Sequence, residues 1–342
     1  MTAGGPTTDE TMGEAMMDAI EAEGLRRTFH SGGRFFGGGR EIVAVERVDL
    51  AVRQGTVFGL LGPNGAGKTT TIKMLSTLLI PSGGRAAVAG FDVIRQEREV
   101  RRRLGVVLGG DRGLYGKLSA RDNLVYFGRL YGLPGRTLGG RADELLTLVG
   151  LADRADDRAE GFSRGMKQRL HLARALLHDP PVIFLDEPTI GLDPAAAVNL
   201  RQIVQALVPE HTVLLTTHYL QEADELCDRI AIVDHGVVLV EDTPEGIKRR
   251  VAGRQRYLVR VHGRDDAGLV AALAAVPAVD AVAADLEADG TTALTLTCHD
   301  RAPVIDAAVR LLQRHGARIA SIQAVEPTLE DAFLALTSGA AA

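Results

Sequence analysis

Two short runs in this 342-residue chain carry no polar residue, Val182-Ile183-Phe184-Leu185 and Val213-Leu214-Leu215. Apolar runs this brief, without alternation, predict strands buried on both faces of a parallel sheet. A third apolar run, Thr56-Val57-Phe58-Gly59-Leu60-Leu61, predicts a strand and ends at a glycine-rich stretch. Weaker alternation predicts an edge strand over 19–29 and another strand over 41–52, with a glycine-rich hairpin tip or inserted loop at 31–40. Ile72, Leu75 and Leu79 share one face of a helix predicted over 69–79. Residues 95–177 are mostly helical in pattern. Ser119 with Asp122 three residues on has the form of a capping box, and Leu124, Phe127 and Tyr131 supply an apolar stripe behind it. A loop at 132–140 and a helix at 141–149 follow. Asp193-Pro194 opens another helix, with Asp as cap and Pro at the first helical position. Residues 229–241 form a hairpin turning at Asp234-His235-Gly236.

Beyond Pro244 the pattern changes. Strands at 256–262, 280–286, 293–298 and 318–325 alternate with helices at 266–275 and 303–315, in the order βαββαβ, a ferredoxin-like layout. A last helix starts at Thr328. The expected division is a disordered leader at 1–18, a large α/β domain at 19–243 and a small α+β domain at 244–342.

The chemistry begins where the third run ends. Gly62-Pro63-Asn64-Gly65-Ala66-Gly67-Lys68-Thr69-Thr70 is a complete phosphate loop between a strand and a helix. Gly62 and Gly67 permit backbone turns that a side chain would block. Successive N–H groups and the following helix N-terminus then surround phosphate oxygens. Lys68 places a charge on the β- and γ-phosphates, and Thr69 offers a hydroxyl to Mg²⁺. The 182–185 run ends in Asp186-Glu187. Neighbours on a strand face opposite ways, so one carboxylate can hold Mg²⁺ while the other orients or deprotonates a water. Ser163-Arg164-Gly165 precedes a helix carrying Leu170, Ala173 and Leu177. Its small capped start leaves the helix N-terminus open to an anion.

Composition narrows the partners. The net charge of −5 argues against a nucleic-acid binder, whose affinity rests on neutralising phosphates. The longest uncharged apolar stretch, 267–279, has 13 residues and contains Pro277, too short to span a bilayer. Residues 1–23 hold no Lys or Arg and do not form a secretory signal. Membrane association is therefore expected through a partner. Cys227 and Cys298 lie outside any metal or redox spacing and are expected to be reduced.

The order of these motifs resembles the ATP-binding cassette (ABC) ATPases. Ser163 follows Lys68 by 95 residues, Asp186 follows Ser163 by 23, and His218 follows Glu187 by 31. The resemblance covers roughly residues 20–241. It implies a RecA-like core, an antiparallel β subdomain and an α-helical subdomain at about 95–177. It also implies ATP and Mg²⁺ as ligands, with Asp186 and Thr69 on the metal and Glu187 as general base. His218 corresponds to the histidine that contacts the γ-phosphate, and Gly191-Leu192-Asp193 to the loop that signals across a dimer. Ser163 and Gly165 correspond to the signature residues that cap a partner's nucleotide. Phe29 stands where the family places an aromatic against adenine, with Phe35 or Phe36 as competitors.

Two departures stand out. The usual Leu-Ser-Gly-Gly-Gln signature is Phe162-Ser163-Arg164-Gly165-Met166 here. After Leu108, where the family usually has a Gln, this chain has Gly109-Gly110-Asp111. Either water and backbone replace that side chain, or Asp111 reaches in.

The closing segment, from Glu326-Pro327-Thr328 to Phe333-Leu334, resembles bacterial drug-export ATPases of the daunorubicin-resistance type, and the signature fits them too. The resemblance implies the ATPase subunit of a two-component exporter. The expected partners are a separately encoded permease and a second cassette, as homodimer or heterodimer, at the cytoplasmic face of the plasma membrane. The C-terminal domain is expected to be an accessory or dimerisation module. An importer fits the cassette equally. A DNA-repair ATPase would need coiled coils or zinc modules that do not fit between Lys68 and Ser163, and a translation ATPase usually carries two cassettes.

Overall fold

The computed structural model describes residues 18–31, 40–108, 113–251, 255–262, 267–277, 279–287, 291–298, 304–325 and 327–339. Phe35, Phe36, Gly109, Gly110, Asp111, Pro303 and the leader up to residue 17 lie outside them. The described chain divides into two compact units. The first draws on Met1–Glu222 and Leu226–Val238, the second on Ala223–Glu225 and Leu239–Ala342.

The elements run β1 (Asp18–Ser31), β2 (Arg40–Arg53), β3 (Val57–Leu61), α1 (Lys68–Leu75), β4 (Gly83–Val88), β5 (Phe91–Asp92), α2 (Glu97–Arg102) and β6 (Leu104–Val107). Next come α3 (Ala120–Leu130), α4 (Gly135–Leu148), α5 (Arg164–Ala175), β7 (Val182–Asp186), α6 (Pro194–Ala206), β8 (Thr212–Thr217), α7 (Leu220–Leu226), β9 (Arg229–Asp234) and β10 (Val237–Asp242).

Ten strands form one sheet in the order β5-β4-β1-β2-β10-β9-β3-β8-β7-β6. From β9 to β6 every neighbouring pair is parallel. All residues of β3, β7 and β8 are buried, as unbroken apolar runs require when both faces are covered. The flank from β2 to β5 is antiparallel. This is the α/β cassette that the motifs implied. Register places the site: Leu61 lies opposite Thr217, and Asp186 opposite Thr216. The phosphate loop, the Asp-Glu pair and the residues before His218 therefore leave the sheet at one edge, the carboxyl ends of parallel strands.

Several local expectations change. β1 is not an edge strand, because β2 and β4 flank it on both sides. The first helix stops at Leu75, short of Leu79. Thr77 takes φ +63, and the Leu78 and Leu79 amides both turn back to the Lys73 carbonyl. α4 starts at Gly135, inside the expected loop. Its glycines face solvent, while Leu138 is buried against Gly128, where a Cβ would stand 2.3 Å from a Leu138 methyl. The buried face of α3 is Ala120, Asn123, Leu124 and Gly128, and Tyr131 is exposed. The Ser119 cap forms as expected, with Oγ accepting from the Asp122 amide at 3.0 Å.

The second unit continues with α8 (Pro244–Val251), β11 (Gln255–His262), α9 (Ala267–Ala274), β12 (Val279–Leu286), β13 (Thr291–Cys298), α10 (Val304–Arg314), β14 (Arg318–Val325) and α11 (Leu329–Gly339). Its strands order as β12-β13-β11-β14, with every pair antiparallel, the ferredoxin-like arrangement. Val259, Val261, Leu294 and Leu296 of the sheet pack on Leu269, Leu273, Val304 and Leu312. α11 opens with a reciprocal cap, Thr328 N–H to Asp331 Oδ2 (2.9 Å) and Asp331 N–H to Thr328 Oγ1 (3.1 Å). Both cysteines are buried free thiols.

Candidate nucleotide site

The phosphate loop wraps a cavity of about 270 Å³ lined by Ala44, Pro63 to Thr70 and Glu187. Two glycines make the wrap possible. A Cβ on Gly62 would stand 2.2 Å from the Val233 carbonyl, and Gly67 takes φ +101 with the Ala44 carbonyl 2.6 Å from where a Cβ would sit. Lys68 is buried at 6% exposure, and its ammonium donates to the carbonyls of Gly62 (2.6 Å) and Pro63 (3.1 Å). Burial lowers its pKa, against the pull of Glu187 and Asp186.

Asp186 ends β7 and is buried. Thr69 Oγ1 donates to its two oxygens at 3.1 and 3.2 Å. Thr216 Oγ1 donates to Oδ1 at 2.5 Å. Glu187 has already left the strand, with φ +49. Left-handed backbone is unfavourable for a residue with a Cβ, so surrounding bonds must hold it. The Glu187 N–H donates to the Thr216 carbonyl (3.0 Å) and hydroxyl (3.1 Å), and the Ile190 N–H returns to the Glu187 carbonyl (3.2 Å). Strand alternation therefore does not separate the two carboxylates. Asp186 faces Thr69, while Glu187 Oε1 lies 4.0 Å from Lys68 Nζ and 3.3 Å from His218 Nδ1.

Lys68, Thr69, Asp186, Glu187 and His218 thus converge from three strand ends. Ser163, Gly165 and Asp193 do not line the cavity. They form a second cluster. Ser163 Oγ accepts from the Met166 amide (3.3 Å), and Asp193 Oδ1 accepts from the Ala196 amide (2.9 Å). A Cβ on Gly165 would stand 2.9 Å from the Ala196 Cβ. Phe29 lies on β1 opposite Ile42, two residues from the cavity-lining Ala44, with the Arg27 guanidinium 4.6 Å from its ring. No motif in the sequence singles out Thr216 or Arg27. A pair of threonines ending an apolar run was the available signal for the first.

Among the described residues, no three of His, Cys, Asp and Glu gather as a metal cluster. Thr69 and Asp186 are instead an oxygen-only pair, the donor set that holds Mg²⁺ together with phosphate oxygens and water.

A phosphate loop, a strand-end carboxylate pair and a strand-end histidine at the carboxyl ends of neighbouring parallel strands define a P-loop nucleoside triphosphatase. The family model described as "ABC transporter" matches residues 45–190. The daunorubicin resistance ATP-binding protein DrrA2 of Streptomyces coeruleorubidus is 44% identical over 301 residues, 86% of this chain and 90% of that protein. The linearmycin resistance ATP-binding protein LnrL of Bacillus subtilis is 33% identical over 319 residues, 93% of this chain and 98% of the relative. The ATP-binding cassette MJ0796, solved as a dimer in a post-hydrolysis state with ADP and Pi, superposes with a TM-score of 0.58 at 26% identity. That match covers 66% of this chain and 98% of the other. The chain belongs to the ABC transporter family, as an ATP-binding and ATP-hydrolysing subunit.

Proposed function

We propose that this subunit powers export of a drug, antibiotic or other hydrophobic metabolite through a separately encoded permease, docked at the cytoplasmic face of the plasma membrane. The observation that carries the hydrolytic part is that Lys68 and Glu187 line the phosphate-loop cavity, with His218 3.3 Å from the Glu187 carboxylate. The relatives that match most of the chain, named for daunorubicin and linearmycin resistance, support the export part.

The roles follow from chemistry. The loop amides and Lys68 hold the β- and γ-phosphates. Glu187 accepts a proton from the attacking water, and His218, 3.3 Å away, orients that carboxylate and reaches the γ-phosphate. Thr69 and Asp186 would hold Mg²⁺, whose charge offsets that developing on the phosphate oxygens. Phe29 offers its free face to adenine. The far side of the γ-phosphate needs donors that this chain's own cavity lining does not include. Ser163 and Gly165, at the start of α5, supply them to a second cassette closed head to tail. Preorganised donors of this kind are worth about 100- to 1000-fold in rate. The C-terminal domain expected at 244–342 serves as an accessory or dimerisation module.

Co-expression with a candidate permease tests the reading. Copurification is expected for wild type and for Glu187→Gln alike, whereas ATPase stimulation and drug resistance should vanish in the variant. Full activity without a membrane partner would overturn the transport role.

A further inference from the structure

Behind the site lies a carboxyl that none of these roles uses. Glu222 is 2% exposed. Its Oε2 accepts from Thr189 Oγ1 at 3.1 Å, and its Oε1 finds no hydrogen-bond partner among the described residues. The Thr217 side chain also hydrogen-bonds to it, and the charges of Arg201 of α6 and His218 act on it. Burying a carboxyl with an unfilled oxygen is unfavourable, and an apolar side chain would fill the same space without that penalty. The residue is therefore explained by what its bonds connect, above all the one to Thr189.

Thr189 lies two residues after Glu187, where the Ile190 N–H returns to Glu187 and the Leu192 N–H to Thr189. Glu222 lies four residues after His218, and its own N–H returns to the Tyr219 carbonyl. The Thr189–Glu222 bond thus ties the turn that carries Glu187 to the segment that carries His218. Neither residue lines the cavity itself.

We propose that Glu222 is a positioning residue for ATP hydrolysis, holding the turn after Glu187 against the segment after His218 so that the two reactive side chains stay in contact. The inference rests on the roles assigned above to Glu187 and His218. Glu187 sits in strained backbone, so small shifts of the turn behind it change where its carboxylate points. Such misplacement affects the chemical step more than nucleotide binding, because Lys68 and the loop amides do not depend on Thr189.

The test is a double-mutant cycle on the full chain, with kcat and KM for ATP measured separately. Glu222→Ala and Thr189→Val are each expected to lower kcat by about 10- to 100-fold and leave KM within about twofold. The double variant should be no slower than the slower single, because both remove one interaction. Glu222→Gln, which keeps an acceptor for Thr189, should recover most of kcat. A kcat near wild type in Thr189→Val, or losses that multiply in the double variant, would overturn the proposal. If Glu222→Ala does not fold, Thr189→Val and Glu222→Gln still decide, since each changes few atoms. Glu187→Gln runs alongside: normal turnover there removes the assigned base, whereas the coupling between Thr189 and Glu222 is read independently of it.

Discussion

His218 Nδ1 lies 3.3 Å from Glu187 Oε1, although the two residues leave the sheet on different strands and 31 positions separate them. The contact exists because Glu187 turns through φ +49 at the end of β7, directed by two bonds from its amide to Thr216. That one turn points a carboxylate into the phosphate cavity instead of into the sheet.

Glu187→Gln should therefore keep ATP affinity and lose turnover by about 100- to 10,000-fold, the usual worth of a positioned base. Because the closed state is no longer hydrolysed away, the variant should accumulate as an ATP-bound dimer, visible by size-exclusion chromatography. Rapid phosphate release from this variant would contradict the assignment.

Lys68→Ala should weaken ATP binding by about 10- to 100-fold, the loss of a charged hydrogen bond to phosphate. The wild type should show a pH effect at the same residue. Burial holds the free-protein pKa of Lys68 below the ordinary 10.5, and bound phosphates favour the charged form and raise it. The complex then holds more protons than the free protein once pH exceeds the lowered value. ATP affinity should fall as pH rises through that value, with proton uptake on binding. Calorimetry in buffers of different ionisation enthalpy measures both.

Arg164 replaces the glycine usual at the third signature position, and its guanidinium occupies the space beside Gly191. A Cβ on Gly191, at φ +69, would stand 2.1 Å from Arg164 Nη1. Gly191→Ala should destabilise the chain by about 1 kcal/mol or more through its left-handed backbone. Arg164→Gly in the same chain should relieve the steric part and leave the conformational part. Urea unfolding of the two single variants and the double separates them.

Glu222 gives stability a pH signature of its own. Burial raises its pKa above the ordinary 4.5, while Thr217, Thr189, Arg201 and His218 pull it down. A carboxyl raised in the folded state contributes its full stability below the unfolded value and loses it as pH rises through the folded value. The stability of wild type relative to Glu222→Gln should thus be greatest below about pH 4.5 and decline as pH climbs past it. An increase over that range in chemical-denaturation curves would contradict the assignment.

Much of this is legible in the amino-acid order. The phosphate loop between strand and helix, the Ser119 cap and the βαββαβ order all depend on residues close in sequence. Local turns, caps and periodicity report those directly. The errors share a different cause. The edge status expected for β1 failed because β4, more than 50 residues on, pairs along its open side. The loop expected at 132–140 failed because one leucine, Leu138, found Gly128 to pack on.

The amino-acid order alone determined that this chain carries the residues of a phosphate site and a signature helix, and in what succession. Only the tertiary structure decided which of them meet. Parallel register set Leu61 beside Thr217 and Asp186 beside Thr216, which carried Lys68, Glu187 and His218 to one edge. It kept Ser163 and Gly165 out of that cavity's lining, beside α6. It also turned Glu187 out of its strand and placed Glu222 behind it. Pairing between strands distant in sequence is a result of packing the whole core, and no short window of residues encodes it.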